Sequence, residues 1–161
     1  YFEVIKKKTA ALFATAAEAG AISVKSTDEM AEKSRQFGEL IGISFQIKDD
    51  IFDYYSSDVL GKPTGNDMRE GKLTLPVLYV LNTLRNPSMI ELALKIRALD
   101  ASDEEIAYFI DYVKQNGGIE YATQVMIEYR NKALAILPDD ISDELKIALT
   151  SYIDYVIERN K

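Results

Sequence analysis

Phe37-Gly38-Glu39-Leu40-Ile41-Gly42-Ile43-Ser44-Phe45-Gln46-Ile47-Lys48-Asp49-Asp50-Ile51-Phe52-Asp53-Tyr54 is the stretch that decides the fold. Phe37, Leu40, Ile41, Phe45, Ile47 and Ile51, with the small Ser44, recur three and four residues apart, the spacing of one α-helical face. Upstream, Thr27-Asp28-Glu29 supplies a cap and an acidic first turn. A helix is therefore expected from Thr27 or Asp28 to about Tyr54.

The same period holds outward in both directions. The 8 Gly and 4 Pro fall where helices should break. A helix is expected over about residues 2–19, closed by Gly20 as its C-terminal cap. Residues 56–72 are polar and Gly-rich and read as a loop. Further helices are expected over 73–84 with Pro76 in the first turn, from Asn86-Pro87-Ser88 to about 99, from Ser102-Asp103-Glu104-Glu105 to about 115, and over 119–137 and 143–158. There is no strand alternation, internal repeat or low-complexity linker. The fold class is all-α, in one packed unit.

Composition narrows the chemistry. The 161 residues are the size of one domain or a large piece of one. With 47% hydrophobic and 28% charged residues, the chain can bury a core. It has no Cys, so disulfides, thiolate catalysis and zinc-thiolate sites are excluded. It has no His, which removes imidazole ligands and the commonest general base. Any metal is then a hard cation held by oxygen: Mg²⁺, Mn²⁺ or Ca²⁺. A net charge of −7 argues against nucleic acid as a partner. No stretch approaches the roughly 18 apolar residues of a membrane span.

Gln46, Asp49, Asp50 and Asp53 stand at i, i+3, i+4 and i+7 and share one helical stripe, which Gly38 and Gly42 extend toward the N-terminus. Like charges at this spacing cost about 0.2–0.5 kcal/mol per pair. A cation between them reverses that sign, and Mg²⁺ suits one or two carboxylates completed by water and phosphate oxygens. The spacing alone is weak evidence. Asp139-Asp140-Ile141-Ser142-Asp143 repeats it, but follows Pro138 and opens a helix, where Asp serves as a cap. The copy at Asp49 lies inside a helix, where capping does not explain it; a solvated acidic face and a metal site both remain open.

Two further elements bear on the choice. Gly61-Lys62-Pro63-Thr64-Gly65-Asn66-Asp67-Met68-Arg69-Glu70-Gly71-Lys72-Leu73-Thr74-Leu75-Pro76 places Lys62 and Lys72 on Gly-flanked backbone, where a lysine can meet phosphate; an ordinary polar loop reads the same way. Lys6-Lys7-Lys8-Thr9 precedes small residues (Ala10, Ala11, Ala14, Ala16, Ala17) that would let another helix approach closely; three lysines in a row are also simply a wet helix face.

Together, in this order, the Lys8-Thr9 pair, the Gly42 to Tyr54 block and the Gly61 to Pro76 block resemble the C-terminal half of the trans-isoprenyl diphosphate synthases, or polyprenyl synthetases. The resemblance spans the whole chain, and its loop block looks most like long-chain bacterial members such as octaprenyl diphosphate synthase. It implies an isoprenoid-synthase-type helical bundle in which two aspartate-rich helices bind Mg²⁺ (or Mn²⁺) across a cavity. The Mg²⁺ grips an allylic prenyl diphosphate, which ionises and is attacked by isopentenyl diphosphate. The diphosphate itself takes the proton, so no His is required. Carried over residue by residue, Asp49 is expected to ligate Mg²⁺ directly, and Asp50 and Asp53 directly or through water. Lys8 and Lys62 are expected on the allylic diphosphate, Lys72 less directly, and Thr9 and Gln46 near the reacting carbons. The family's first aspartate-rich motif and its isopentenyl diphosphate site have no counterpart here. Helical pattern also begins at Tyr1 with no cap ahead of it. Residues 1–161 are therefore expected to be the C-terminal part of one cytoplasmic synthase domain, inactive alone and a homodimer when intact. The alternative is a non-catalytic helical subunit that pairs with a catalytic synthase.

Overall fold

The computed structural model describes residues 1–55, 64–138 and 141–158, and among these every regular element is helical. In chain order they are α1 (Phe2–Ile5), a π-helical turn (Lys6–Ala10), α2 (Ala11–Ser23), α3 (Asp28–Phe52), α4 (Asn66–Arg69), α5 (Leu75–Leu84), α6 (Pro87–Arg97), α7 (Asp103–Gln115), α8 (Gly118–Ala135) and α9 (Asp143–Glu158). Where the sequence suggests one packed unit, contacts group the chain into two: residues 1–48 with 125–161, and residues 49–124. Among the described residues no helix is long and apolar enough to cross a membrane.

In the first unit, α1, the π turn and α2 form one unbroken helix. It does not stop at Gly20. A Cβ there would meet nothing within 4 Å, and the helix runs on to Ser23. Lys25, at φ 57°, ends it instead: its N–H donates to the Ile22 carbonyl (2.9 Å) and the Ser26 N–H to the Ala21 carbonyl (3.2 Å). This is the paired-bond ending usually built on glycine. Thr27 then opens α3 as expected, its hydroxyl accepting the Met30 N–H at 3.2 Å.

Gly38 and Gly42 let α3 meet that first helix backbone to backbone. A Cβ on Gly38 would lie 2.4 Å from the Phe13 carbonyl oxygen, and one on Gly42 would lie 2.6 Å from the Ala10 Cα. Of the five small residues expected to line this approach, Ala10 and Ala14 are buried, whereas Ala11 and Ala16 are exposed. Ile41, Ala133 and Ile153 centre the core, flanked by Phe13, Phe37, Leu40 and Leu134. The full burial of Ile41 and of Ile153 contributes about 1.5–3 kcal/mol each. Fully buried Ser44 donates to the Met126 carbonyl at 3.1 Å, so its hydroxyl does not enter the core unpaired. α9 is capped by Ser142, whose hydroxyl accepts the Leu145 N–H. Asp139 and Asp140, for which a capping role is expected, lie outside the described residues.

The second unit contains α4, a single helical turn inside the stretch expected to be loop. α5 starts at Leu75, two residues later than expected, with Pro76 in its first turn, where no N–H is missed. Asn86 caps α6 by accepting the Ser88 N–H, ahead of Pro87. Ser102 and Glu105 form a reciprocal capping box on α7. Val77, Val80, Phe109 and Val113 are fully buried, and Tyr79 stacks on Tyr121 with centroids 4.0 Å apart.

Candidate functional site

The last two turns of α3 carry Gln46, Asp49 and Asp50, and Asp53 follows directly. Aspartates are poorly suited to this end. The helix dipole is negative there, and α3 has no basic residue in its last turn. Asp50 is nonetheless buried, 3% exposed, with Asp49 and Asp53 half-buried. A buried carboxylate is retained only where positive charge or hydrogen bonds compensate its desolvation. Tyr54, one turn on, is buried as well, and its hydroxyl lacks a well-formed hydrogen bond although Thr74 stands beside it. Burial pushes its ionisation well above the ordinary range; Thr74 opposes this, and the charges of Asp53, Asp50 and Asp67 add to it.

Asp53 is held from the loop side. Its Oδ1 accepts the Asn66 N–H at 2.9 Å and its Oδ2 the Asp67 N–H at 3.0 Å. Its carbonyl accepts the Gly65 N–H at 2.8 Å. Gly65 sits at φ 81°, and a Cβ would stand 2.6 Å from Ile110 Cδ1, so both backbone and space favour glycine. Arg69 braces the same segment, donating to the Thr64 carbonyl and, through Nε, to Asp103 at 2.8 Å.

Thr9 and Gln46 do come together: the Thr9 hydroxyl donates to Gln46 Oε1 at 2.6 Å. Thr9 and Lys8 both lie in the π turn, with Lys8 exposed. Such turns recur at functional sites because the extra residue re-aims the side chains around it. Lys72 is exposed and engaged by acids, bonding Glu70 and lying 3.8 Å from Asp67. The Glu70 bond comes first among the causes that raise its pKa. Lys62 lies outside the described residues. Asn66, Asp67, Arg69 and Tyr54 were not among the expected site residues. The one local signal for them is Gly65-Asn66-Asp67, a glycine followed by polar residues at a helix start.

Among the described residues no three carboxylates converge into a ready-made metal cage. The donor set nevertheless fits a hard cation. The chain has no nitrogen or sulfur ligand of the His or Cys kind, and Asp49 with Asp50 supplies the one or two carboxylates that Mg²⁺ uses alongside water and phosphate.

The sequence model of the polyprenyl synthetase family matches residues 1–113. A geranylgeranyl pyrophosphate synthase crystal structure from Bacteroides thetaiotaomicron superposes with a TM-score of 0.93 at 51% identity, covering 99% of this chain and 52% of that one. A polyprenyl synthase from Caulobacter crescentus, complexed with calcium and isoprenyl diphosphate, superposes at 0.89 with 31% identity, covering 100% and 49%. A short chain isoprenyl diphosphate synthase of Methanothermobacter thermautotrophicus is 36% identical over 99% of this chain and 49% of its own length. The chain thus spans about half the length of the curated relatives it matches.

Proposed function

Because the chain belongs to the polyprenyl synthetase family, we propose that it is the part of a prenyl transferase that holds metal and allylic diphosphate. The reaction is condensation of an allylic prenyl diphosphate with isopentenyl diphosphate to a longer trans-polyprenyl diphosphate. One observation carries this reading: a half-buried and a buried aspartate, Asp49 and Asp50, at the dipole-disfavoured end of α3. Mg²⁺ there, for which Mn²⁺ can stand in, supplies positive charge to the diphosphate oxygens as the allylic C–O bond ionises. The calcium and isoprenyl diphosphate of the Caulobacter relative support that choice of ligand class. Asp49 and Asp50 hold the cation, and Lys8 and Lys62 hold phosphate oxygens as mobile point charges. Thr9 and Gln46, already paired, put a neutral hydroxyl and amide toward the reacting carbons, where an ionised side chain would capture or repel the allylic cation. Lys72, engaged by Glu70 and Asp67, steadies its own loop rather than binding phosphate directly. No residue of the chain has to take the proton, which leaves on the diphosphate.

As a whole protein the synthase is expected to be a cytoplasmic homodimer, with residues 1–161 the C-terminal part of one domain. The likeness of residues 61–76 to long-chain members supports a long product. The geranylgeranyl relative at 51% identity supports a shorter one, and chromatography of the products decides between them. The reading is tested by turnover of the full-length protein with Mg²⁺, farnesyl diphosphate and isopentenyl diphosphate. Asp49→Ala is expected to lower kcat by about 10²-fold or more, the scale of removing a group that stabilises transition-state charge. An Asp49→Ala protein with ordinary rates would defeat it.

A further inference from the structure

We infer that the three aspartates divide their labour: Asp53 is a positioning residue that fastens residues 64–69 to the end of α3, and cation binding falls to Asp49 and Asp50. The inference rests on the function proposed above and adds to it. Both oxygens of Asp53 accept backbone N–H groups, from Asn66 and Asp67, and its carbonyl accepts a third from Gly65. Asp53 therefore caps α4 from 13 residues upstream, a role a carboxylate performs well because it can satisfy two amides at once. The opposite side of this clasp is shaped to match. Gly65 takes the left-handed conformation that delivers the three N–H groups, wedged against Ile106 and Ile110, and Arg69 ties the turn back to Thr64 and Asp103. The two amide bonds fix the direction of the carboxylate and already draw on its charge, which weakens it as a cation ligand.

The test uses the full-length protein, Mn²⁺ as the probe and four variants: Asp49→Asn, Asp53→Asn, Gly65→Ala and the last two combined. Asp53→Asn keeps the shape but offers one acceptor oxygen to two donors; Gly65→Ala breaks the clasp without touching a carboxylate. Asp53→Asn and Gly65→Ala are each expected to speed hydrogen exchange of the Asn66 and Asp67 amides by about tenfold or more. Both should weaken Mn²⁺ binding alike, by about 10- to 100-fold at most, the effect of losing a partner outside the metal's own shell. The combined variant should be no worse than either alone. Asp49→Asn should weaken Mn²⁺ binding by at least about 100-fold, beyond that outer-shell range. The inference is overturned if Asp53→Asn weakens Mn²⁺ binding as Asp49→Asn does while Gly65→Ala leaves it intact. Unprotected amides at 66 and 67 in the unmutated protein would overturn it without any variant. If Asp49→Asn itself leaves Mn²⁺ binding unchanged, the functional reading fails instead, whatever Asp53 does.

Discussion

Gly20 and Gly42 are both helical glycines, and their surroundings give them opposite roles. A Cβ on Gly42 would meet the Ala10 backbone at 2.6 Å, and backbone cannot swing aside; one on Gly20 would meet nothing. Gly42→Ala should destabilise the protein by about 1–3 kcal/mol, an overpacking cost larger than the helix propensity it gains. Gly20→Ala should stabilise by about 0.5–1 kcal/mol. Paired thermal melts read both, and two shifts of the same sign would contradict the packing described. At this scale the sequence is a partial guide. The aspartate stripe is legible because helical spacing alone makes it. The bonds of Asp53 to amides 13 and 14 residues further on are not, since nothing in a local pattern says which donors a carboxylate will find. The same limit applies to Thr9 and Gln46, 37 residues apart.

Among the elements, starts were easier to read than stops. Thr27, Asn86 and the Ser102–Glu105 box are capping chemistry written within three residues, and each does cap. Stops depend on where the chain must turn, and here non-glycine residues adopt the left-handed conformation: Lys25, Arg85 and Leu99. That conformation costs an L-residue about 1–2 kcal/mol. Lys25→Gly should therefore raise the melting temperature, with a gain of about 0.5–1 kcal/mol after the added freedom of the unfolded chain. No gain would mean that the Ser26 and Lys25 bonds are not what ends α2. The α6–α7 junction adds a pH dependence. Lys95, followed by the Ser102 N–H, holds the Glu105 carboxyl below its ordinary value of 4.5. A depressed carboxyl stabilises the fold above its unfolded value, and that contribution is lost as pH falls through the lower folded value. More than a third of the Glu105 side chain is open to solvent, so the effect is small and screened by salt. Melts of Glu105→Gln should show a flatter loss of stability on acidification from pH 4.5 than the parent chain does.

For the molecule as a whole, the all-α class follows from a 3.6-residue period that never gives way to alternation. The division into two compact units does not follow, because its boundaries fall inside α3 and α8, where composition and periodicity continue unbroken. The chain covers about half of the relatives it matches and carries one aspartate-rich stripe. Assayed alone with Mg²⁺ and both diphosphates, the 161 residues should show no turnover, while the full-length protein should be active. Clear turnover by the 161 residues would show that the second carboxylate set is dispensable.

The π turn at Lys6–Ala10 has a consequence for how this helix tolerates length change. A π turn holds one residue more than regular winding needs, so the helix carries a spare residue in its register. Removing a residue between 6 and 10 would let the backbone relax to α-winding with no break in the helix. Because the spare residue is absorbed within that one turn, the residues before it would keep their facing relative to α2. Helicity would survive, and so would the meeting of Ala14 with Gly38. The alignment of Thr9 with Gln46 would not. Deletions here should thus look silent to measures of fold and be felt only in the side chains the turn presents.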